Sequence, residues 1–404
     1  METQVVVQES TSIWKNKNFI ILFVSGAILA LGSKVYELAL PLILYDISQS
    51  SVAMSTMRGI EFLPNLLLAL FIGVIVDRVN KKRWSLWAIF LQAMVLGLLY
   101  MMLELGFHPL FLFYISGFLL MTCSYAFFNA RFSIVKQVLP HEMLTSANAS
   151  FSFIYTLIGI MGPAISGFIL LLSNLHDGLL FTAVAFIIAL FSLMFLEHNE
   201  EKIVKTTNLL EDLTEGWKGL RSNRPLWLIT IFVVFINSTT GMVDAMVIFF
   251  AKDSLHLDHL ALGLVLSCAG VGGMVGSSLV AKLRKKFRMG HLLGVATLLT
   301  SLAFFFLYMA NDPVLLGIGL FLEGLFGTIT SICIWTYRQE TTPTHMIGRI
   351  SGITGSIFKL GMPFAIFAAG WLAQWFTPNL VFLVAMLLNI IIFMFYRKSS
   401  LWNI

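Results

Sequence analysis

The stretch that decides the fold is EFLPNLLLALFIGVIVDRVNKKR, residues 61–83. It is apolar from Leu66 to Val76 and then turns basic within a few residues, ending in Lys81, Lys82 and Arg83. A run of this kind is typical of a helix that crosses a lipid bilayer and leaves it on the side where Lys and Arg collect. The rest of the chain repeats the pattern.

The composition indicates a membrane protein. Of the 404 residues, 58% are hydrophobic and 12% are charged, whereas about a quarter of the residues in a soluble domain are charged. A bilayer stabilises apolar surface that water would not tolerate. The sequence also lacks the P-loop, HExxH and GxSxG motifs. We therefore predict no enzyme, no cofactor and no metal site.

Twelve apolar runs are long enough for a helix to cross the hydrocarbon layer, which takes about 20 residues. They are continuous rather than alternating, which indicates helices and not the strands of a barrel. We predict spans over 18–44, 52–77, 84–104, 109–130, 146–173, 178–196, 226–250, 261–281, 289–310, 312–336, 348–374 and 378–396.

The basic residues set the orientation of these spans. With a cytoplasmic N-terminus, all but four of the 26 Lys and Arg residues fall in cytoplasmic segments; the exceptions are Lys34, Arg58, Lys252 and Lys359. This bias predicts a multi-pass protein of the inner (cytoplasmic) cell membrane with both termini in the cytoplasm. Because the charge is spread over many loops, we expect the lipid bilayer and no nucleic acid as a partner.

The two halves of the chain carry the same landmarks. Gly73 and its basic loop align with Gly276 and a second basic loop, and Pro140 aligns with Pro343 at the same offset. Two six-span halves are a transporter architecture with the binding site between them. We predict an all-α membrane protein and a monomer, with an N-terminal six-helix bundle (1–196), a cytoplasmic linker containing an amphipathic helix (197–225) and a C-terminal six-helix bundle (226–404).

The loop Gly73-x-x-x-Asp77-Arg78-x-Asn80-Lys81-Lys82-Arg83 resembles the signature between spans 2 and 3 of the major facilitator superfamily. Asn80 replaces a Gly of that signature, and we expect positive φ there because Asn tolerates it best after Gly. The resemblance implies the twelve-helix major facilitator fold. It also implies a gating role for this loop through charge pairs and a helix dipole. For the Lys and Arg residues, anchoring of the topology is the alternative.

Span 5 carries Gly159-x-x-Gly162-Pro163-x-x-x-Gly167, which resembles the glycine–proline motif of the exporter branches of the family. Residues 61–83, FFNARFSIVKQVLPHEMLTSAN and LTEGWKGLRSNRPL are similar to the enterobactin-exporter and macrolide-efflux branch. The Arg that exporters carry in the middle of span 4 is absent, and Arg131 stands at the predicted cytoplasmic end of that span instead.

Two pairs of opposite charges lie inside predicted spans, where a charge needs a partner or a wet cavity. Lys34 and Glu37 are three residues apart, as are Arg58 and Glu61, so each pair shares one helix face. We expect one network across spans 1 and 2. It is either a wall of the substrate cavity, an outer gate, or a structural ion-pair cluster.

Asp244 in span 7 and Glu323 in span 10 have no basic residue within one helical turn. The family resemblance implies that spans 1, 4, 7 and 10 surround a central cavity, and removal from water favours the protonated form of a carboxyl group. We predict that Asp244 and Glu323 bind protons or a cationic substrate group, with Lys359 of span 11 as a candidate partner for either.

These features predict a secondary active transporter that works by alternating access. We expect a proton antiporter that exports an amphiphilic small molecule of the antibiotic or siderophore class, as in multidrug resistance or siderophore export. A proton-coupled uptake carrier for a small nutrient and a metal-ion exporter are the alternatives. A membrane receptor or scaffold that transports nothing is the alternative from a different class.

Overall fold

The computed structural model describes residues 13–68, 72, 79–140, 143–172, 174–197 and 209–404, the last range without 344 and 345. These residues fold almost entirely into helices, with short 3-10 turns at Ile13–Lys15 and Ser400–Asn403. The α-helices are α1 (Lys17–Ser48), α2 (Ser51–Leu67), α3 (Lys81–Glu104), α4 (Leu110–Val138), α5 (Leu144–Leu172), α6 (Leu175–Met194), α7 (Leu209–Ser222), α8 (Arg224–Asp253), α9 (His259–Arg284), α10 (Met289–Tyr308), α11 (Pro313–Thr341), α12 (Ile347–Ile357), α13 (Met362–Trp375) and α14 (Pro378–Lys398).

Eleven helical segments of the described part are long and apolar enough to cross a membrane, and each matches a predicted span. The remaining predicted span, 52–77, begins as α2 and ends in residues that mostly lie outside the described part. The first half of the chain thus supplies α1 to α6, and the second half supplies α8 to α14. The helix α7 lies in the predicted linker between them.

The predicted span 348–374 is interrupted near its middle. α12 ends at Ile357, and α13 begins at Met362. Pro363 has no N–H to donate, and its ring crowds the preceding turn. The Met362 N–H donates to the Lys359 carbonyl at 3.2 Å, and the side-chain amide of Asn237 on α8 donates to the Phe358 carbonyl at 3.0 Å. The neighbouring helix therefore compensates for part of the broken hydrogen-bond ladder.

The helix α7 packs against the second half. Its Glu215 forms an ion pair with Arg349 of α12. A Cβ atom added at Gly219 would overlap the Met346 side chain just before α12. Gly219 thus lies close to Met346, which places the end of the linker beside α12. The position of α7 relative to the membrane surface stays a prediction.

Because neighbouring spans run in opposite directions, the bundle has two ends. We call the end where α1 begins and α14 ends the terminal face, and the opposite end the remote face. Lys17 and Glu197 form an ion pair of 2.8 Å at the terminal face. The loops that join α3 to α4 and α10 to α11 lie at the remote face.

The two halves bind each other near the remote face. The Ala164 N–H of α5 donates to Ser267 Oγ of α9 at 3.1 Å. The Ser51 hydroxyl at the start of α2 donates to the Gly370 carbonyl of α13 at 3.0 Å. Both contacts lie in the remote parts of their helices, so the described conformation is closed at that face.

Glycines allow α5 and α9 to cross at close range. A Cβ atom added at Gly167 would lie 3.1 Å from the Gly263 Cα atom and would overlap the His259 carbonyl. A Cβ atom at Gly263 would in turn overlap the Pro163 carbonyl. Small residues let helix backbones approach closely inside a membrane. The predicted span 5 motif therefore contributes Gly167 to the closure of the remote face.

We expect Gly167→Val to open the remote face, because the new side chain cannot fit against α9. Gly159→Val is the matched control on the same helix, since an added Cβ there meets no atom within 4 Å among the described residues. Spin labels on cysteines introduced at His108 and Asn311, which are exposed at this face, report the separation of the halves. A longer distance is expected for Gly167→Val, and an unchanged distribution would contradict this role.

Candidate functional site

A cavity of about 610 Å³ lies between the two halves, near the middle of the helices. Lys34 and Arg58 of the first half line it, as do Asp244 and Glu323 of the second half. It continues along α11 as far as Ser331, toward the terminal face. Since the remote face is closed, the cavity points toward the terminal face in this conformation.

Two ion pairs form the wall that the first half contributes. Lys34 Nζ lies 2.7 Å from Glu37 Oε2, and Arg58 Nη1 lies 2.7 Å from Glu61 Oε2. The Lys34–Glu37 pair is partly exposed, whereas the side chain of Glu61 is 3% exposed. The charge of Glu37 also acts on Arg58 and Glu61. The structure thus brings the four predicted residues together as one network across α1 and α2.

The span 5 motif shapes this wall. A Cβ atom added at Gly162 would lie 2.9 Å from Lys34 Cγ, so Gly162 makes room for the aliphatic part of Lys34. Pro163 lines the cavity itself. Within the motif, Gly162 therefore packs against Lys34, Pro163 lines the cavity and Gly167 packs against α9.

The second half contributes two carboxyl groups with different surroundings. Asp244 of α8 is exposed to the cavity, and its charge interacts with those of Arg58 and Lys34 in the other half. Glu323 of α11 is buried, at 8% exposure, and its Oε1 atom has no hydrogen-bond partner among the described residues. The charge of Asp244 is the one that acts on Glu323. Asp244 has no basic residue nearby on its own helix. The cations that act on it, Arg58 and Lys34, belong to the opposite half and lie across the cavity.

The site holds more acids than bases. Lys34 and Arg58 are already paired with Glu37 and Glu61, while Asp244 and Glu323 remain. An ionised carboxylate without a partner in a dry environment costs several kcal/mol. A proton on Glu323, or a cationic group brought by a ligand, removes that cost. The arrangement can therefore exchange protons or bind a cation.

Lys359, the third predicted charge partner, lies elsewhere. It sits at the break between α12 and α13, does not line the cavity and forms no ion pair with any residue that the structure describes. Because the helix is interrupted between Ile357 and Met362, the position of Lys359 cannot be read from its place along a straight span. Neither Asp244 nor Glu323 is paired with it.

The basic loop before α3 is only partly described. Asn80 has φ −64°, and its side chain accepts a hydrogen bond from the Arg83 N–H at 2.8 Å. The prediction of positive φ was therefore wrong, because Asn80 acts as the N-cap of α3. Lys82 Nζ donates to the Met194 and Leu196 carbonyls, both at 2.7 Å, and Lys81 is buried. Three residues of the predicted gating motif lie outside the described part: Gly73, Asp77 and Arg78.

The sequence misplaced Arg131. The prediction set it at the end of span 4, but α4 continues to Val138, which puts Arg131 about 10 Å inside the helix. It is 5% exposed, bonds to the Tyr155 hydroxyl of α5 and stacks 4.7 Å from the centres of the Phe151 and Tyr155 rings. Aromatic rings stabilise such a cation. The aromatic residues after the Pro140 loop were the signal for this cluster.

The second half holds a similar group. Arg338 of α11 is 3% exposed, donates to the Thr354 hydroxyl of α12 at 2.9 Å and lies 4.0 Å from the centre of the Trp335 ring. In each half, a buried Arg thus joins the fourth span to the helix that follows it. Both groups lie on the terminal side of the cavity.

Comparison with known proteins supports the resemblance to the major facilitator superfamily over most of the chain. The family model described as Major Facilitator Superfamily matches residues 22–366. The uncharacterized MFS-type transporter YvqJ of Bacillus subtilis is 21% identical, over 95% of this chain and 92% of its own length. Macrolide efflux protein A of Streptococcus pyogenes is 22% identical, over 92% of this chain and 93% of its own.

The fold is also that of solved transporters. A point mutant of the nucleoside transporter NupG superimposes with a TM-score of 0.79, covering 94% of this chain and 99% of that one at 12% identity. The predicted twelve-helix architecture is thereby confirmed.

We expect Arg58→Met to destabilise the protein, because it leaves Glu61 buried without its cation. Breaking a buried ion pair from one side costs about 3–5 kcal/mol. The double variant Arg58→Met/Glu61→Gln removes both charges and should recover much of that loss. Thermal unfolding of the purified variants measures the difference. Equal stability of the single and double variants would argue that the pair does not depend on mutual compensation.

Proposed function

The chain belongs to the major facilitator superfamily, and from this premise we propose that it is a proton-coupled exporter of an amphiphilic small molecule. Its relatives and its fold are those of transporters, so the activity is transport by alternating access rather than catalysis. The observation that carries the proposal is the arrangement of Asp244 and Glu323 opposite Lys34 and Arg58 around one cavity between the halves.

The proton enters the cycle at Glu323. This side chain is buried, and its Oε1 atom lacks a hydrogen-bond partner among the described residues, so a proton on the carboxyl group removes the cost of a buried charge. A cationic substrate group beside Asp244 and Glu323 favours release of that proton. When the cavity later opens at the remote face, the substrate leaves and a proton returns to the carboxyl group.

The rest of the lining suits an amphiphile. Apolar side chains surround the charged groups, among them Leu38, Phe62, Met121, Val247, Leu266 and Ile366. The volume of about 610 Å³ lies in the range of roughly 300–1,000 Å³ that small-molecule sites occupy. An antibiotic or a siderophore with one cationic group would place that group on the acids and its apolar part on this wall.

Two features support export over uptake. The span 5 motif resembles that of the exporter branches, and macrolide efflux protein A aligns with nearly the whole chain. With the termini in the cytoplasm, as the positive charge predicts, the cavity points inward in this conformation. A substrate then enters from the cytoplasm, and protons moving inward drive its exit. One charge moved through 100 mV supplies about 2.3 kcal/mol.

The test is to measure substrate efflux driven by a pH gradient in the variant Glu323→Gln. Glutamine keeps the size of the side chain but cannot carry a proton, so we expect the stimulation of substrate efflux by a pH gradient to fall at least about tenfold, while exchange of substrate across the membrane persists. Glu340→Gln is the matched control on the same helix, because Glu340 pairs with Arg284 away from the cavity. Cells that express the protein and accumulate more substrate would instead indicate uptake, and full coupling in Glu323→Gln would exclude Glu323 as the proton carrier.

We also propose that the loop around Asp77 controls the change between conformations. Asp77→Asn should slow transport several-fold while leaving the amount of protein in the membrane unchanged. Asp258→Asn is the control, since Asp258 caps α9 by accepting from the Ala261 N–H at 2.7 Å and Asn caps helices equally well. Unchanged flux in Asp77→Asn would leave the loop with a role in membrane topology only.

A further inference from the structure

The basic loop of the second half presents charges that the molecule itself does not use. Arg284 pairs with Glu340 at 3.0 Å. The other basic residues of the loop are exposed and form no ion pair with any residue in the described part; they are Lys282, Lys285, Lys286 and Arg288. A cluster of four free cations at the end of two membrane helices is available to an anion from outside.

The equivalent loop of the first half is different. Lys81 is buried, and Lys82 satisfies the Met194 and Leu196 carbonyls at the end of α6. Basic side chains in that position stabilise the end of a helix. In the described part of the first-half loop, Lys81 and Lys82 are thus held by the protein and Arg83 is exposed, whereas the four basic residues named above are exposed in the second-half loop.

An apolar groove begins directly beneath the free charges. It has a volume of about 200 Å³ and starts at Leu283 and Phe287 of the loop region. It then follows α10 to Leu299, with Phe326 of α11 in its floor. Its α10 residues run from His291 to Leu299, over which the helix rises about 12 Å, most of the roughly 15 Å hydrocarbon depth of one leaflet. Val295, in the wall of the groove, is 42% exposed on the surface that faces lipid.

We propose that this loop and groove together form a binding site for an anionic phospholipid. The phosphate lies on Lys285, Lys286 and Arg288, and one acyl chain fills the groove along α10. Charge complementarity selects an anionic headgroup, and the groove is long enough to hold much of an acyl chain in the leaflet at the terminal face. A soluble phosphate would use the cations alone and would leave the apolar groove empty.

The first experiment needs no variant. The full chain is purified in detergent, stripped of lipid, and titrated with phosphatidylglycerol or phosphatidylcholine that carry identical acyl chains, with bound lipid counted by native mass spectrometry. We expect phosphatidylglycerol to bind at least about tenfold more tightly. Equal binding of the two lipids would overturn the proposal. So would equal binding of glycerophosphoglycerol, which has the headgroup without the chains.

Variants then locate the site. Each basic group near a membrane surface contributes several-fold to anionic-lipid affinity, so Lys285→Gln/Lys286→Gln should weaken phosphatidylglycerol binding by about 30-fold. Arg397→Gln/Lys398→Gln removes the same charge from exposed positions at the same face and should change binding by less than about threefold. An equal loss in both would show general attraction to the surface and would overturn a defined site.

The groove has its own tests. Val295→Trp fills it without changing the charge and should lower the affinity for phosphatidylglycerol at least about tenfold; no effect would overturn the placement of the chain. Trp402 stacks on the groove residue His291 with ring centres 4.6 Å apart. Phosphatidylglycerol with brominated chains should therefore quench Trp402, measured as the fluorescence difference from Trp402→Phe. Absence of that quenching would contradict the proposal even if the Val295→Trp variant fails to fold.

Discussion

A charge inside the hydrocarbon layer is stable only beside an opposite charge or in contact with water, and this constraint organises the site. The first half meets it locally, because Lys34–Glu37 and Arg58–Glu61 each pair along one helix. Asp244 meets it by facing the cavity and the cations of the other half. Glu323 is buried with an oxygen that has no partner in the described part. Its need for a proton or a cationic ligand is what couples the cavity to transport in the function we propose.

Backbone geometry determines where the halves can close on this cavity. Gly167 and Gly263 bring α5 and α9 together at the remote face, and a larger residue at either position would separate them. On the other side of the molecule, Pro363 divides the eleventh span into two helices, with Asn237 bonded to the freed carbonyl. The contacts that must break for the cavity to open at the remote face therefore include this close helix crossing at small residues.

The internal repeat places similar residues at equivalent positions in the two halves, but these residues make different contacts. Both halves place a buried Arg on the helix of the fourth span, but Arg131 rests on aromatic rings and a Tyr hydroxyl, whereas Arg338 rests on Trp335 and Thr354. The basic loops diverge further, since Lys82 caps α6 while Lys285 and Lys286 stay exposed. Equivalent positions in the two halves therefore make different contacts.

Local pattern determined the spans and the two ion pairs, since hydropathy and a spacing of three residues depend only on a single helix. It also identified Asp244 and Glu323 as carboxyl groups without a local partner. Only the packed helices decided that Lys34 and Arg58, and not Lys359, act on Asp244, because distances between helices depend on how they cross. Packing likewise placed Arg131 inside α4 against the aromatic rings of α5, and the turn into α3 gave Asn80 a capping role. Each of these depends on a group supplied by another element or by the turn into the next helix, which residue spacing within one helix does not encode.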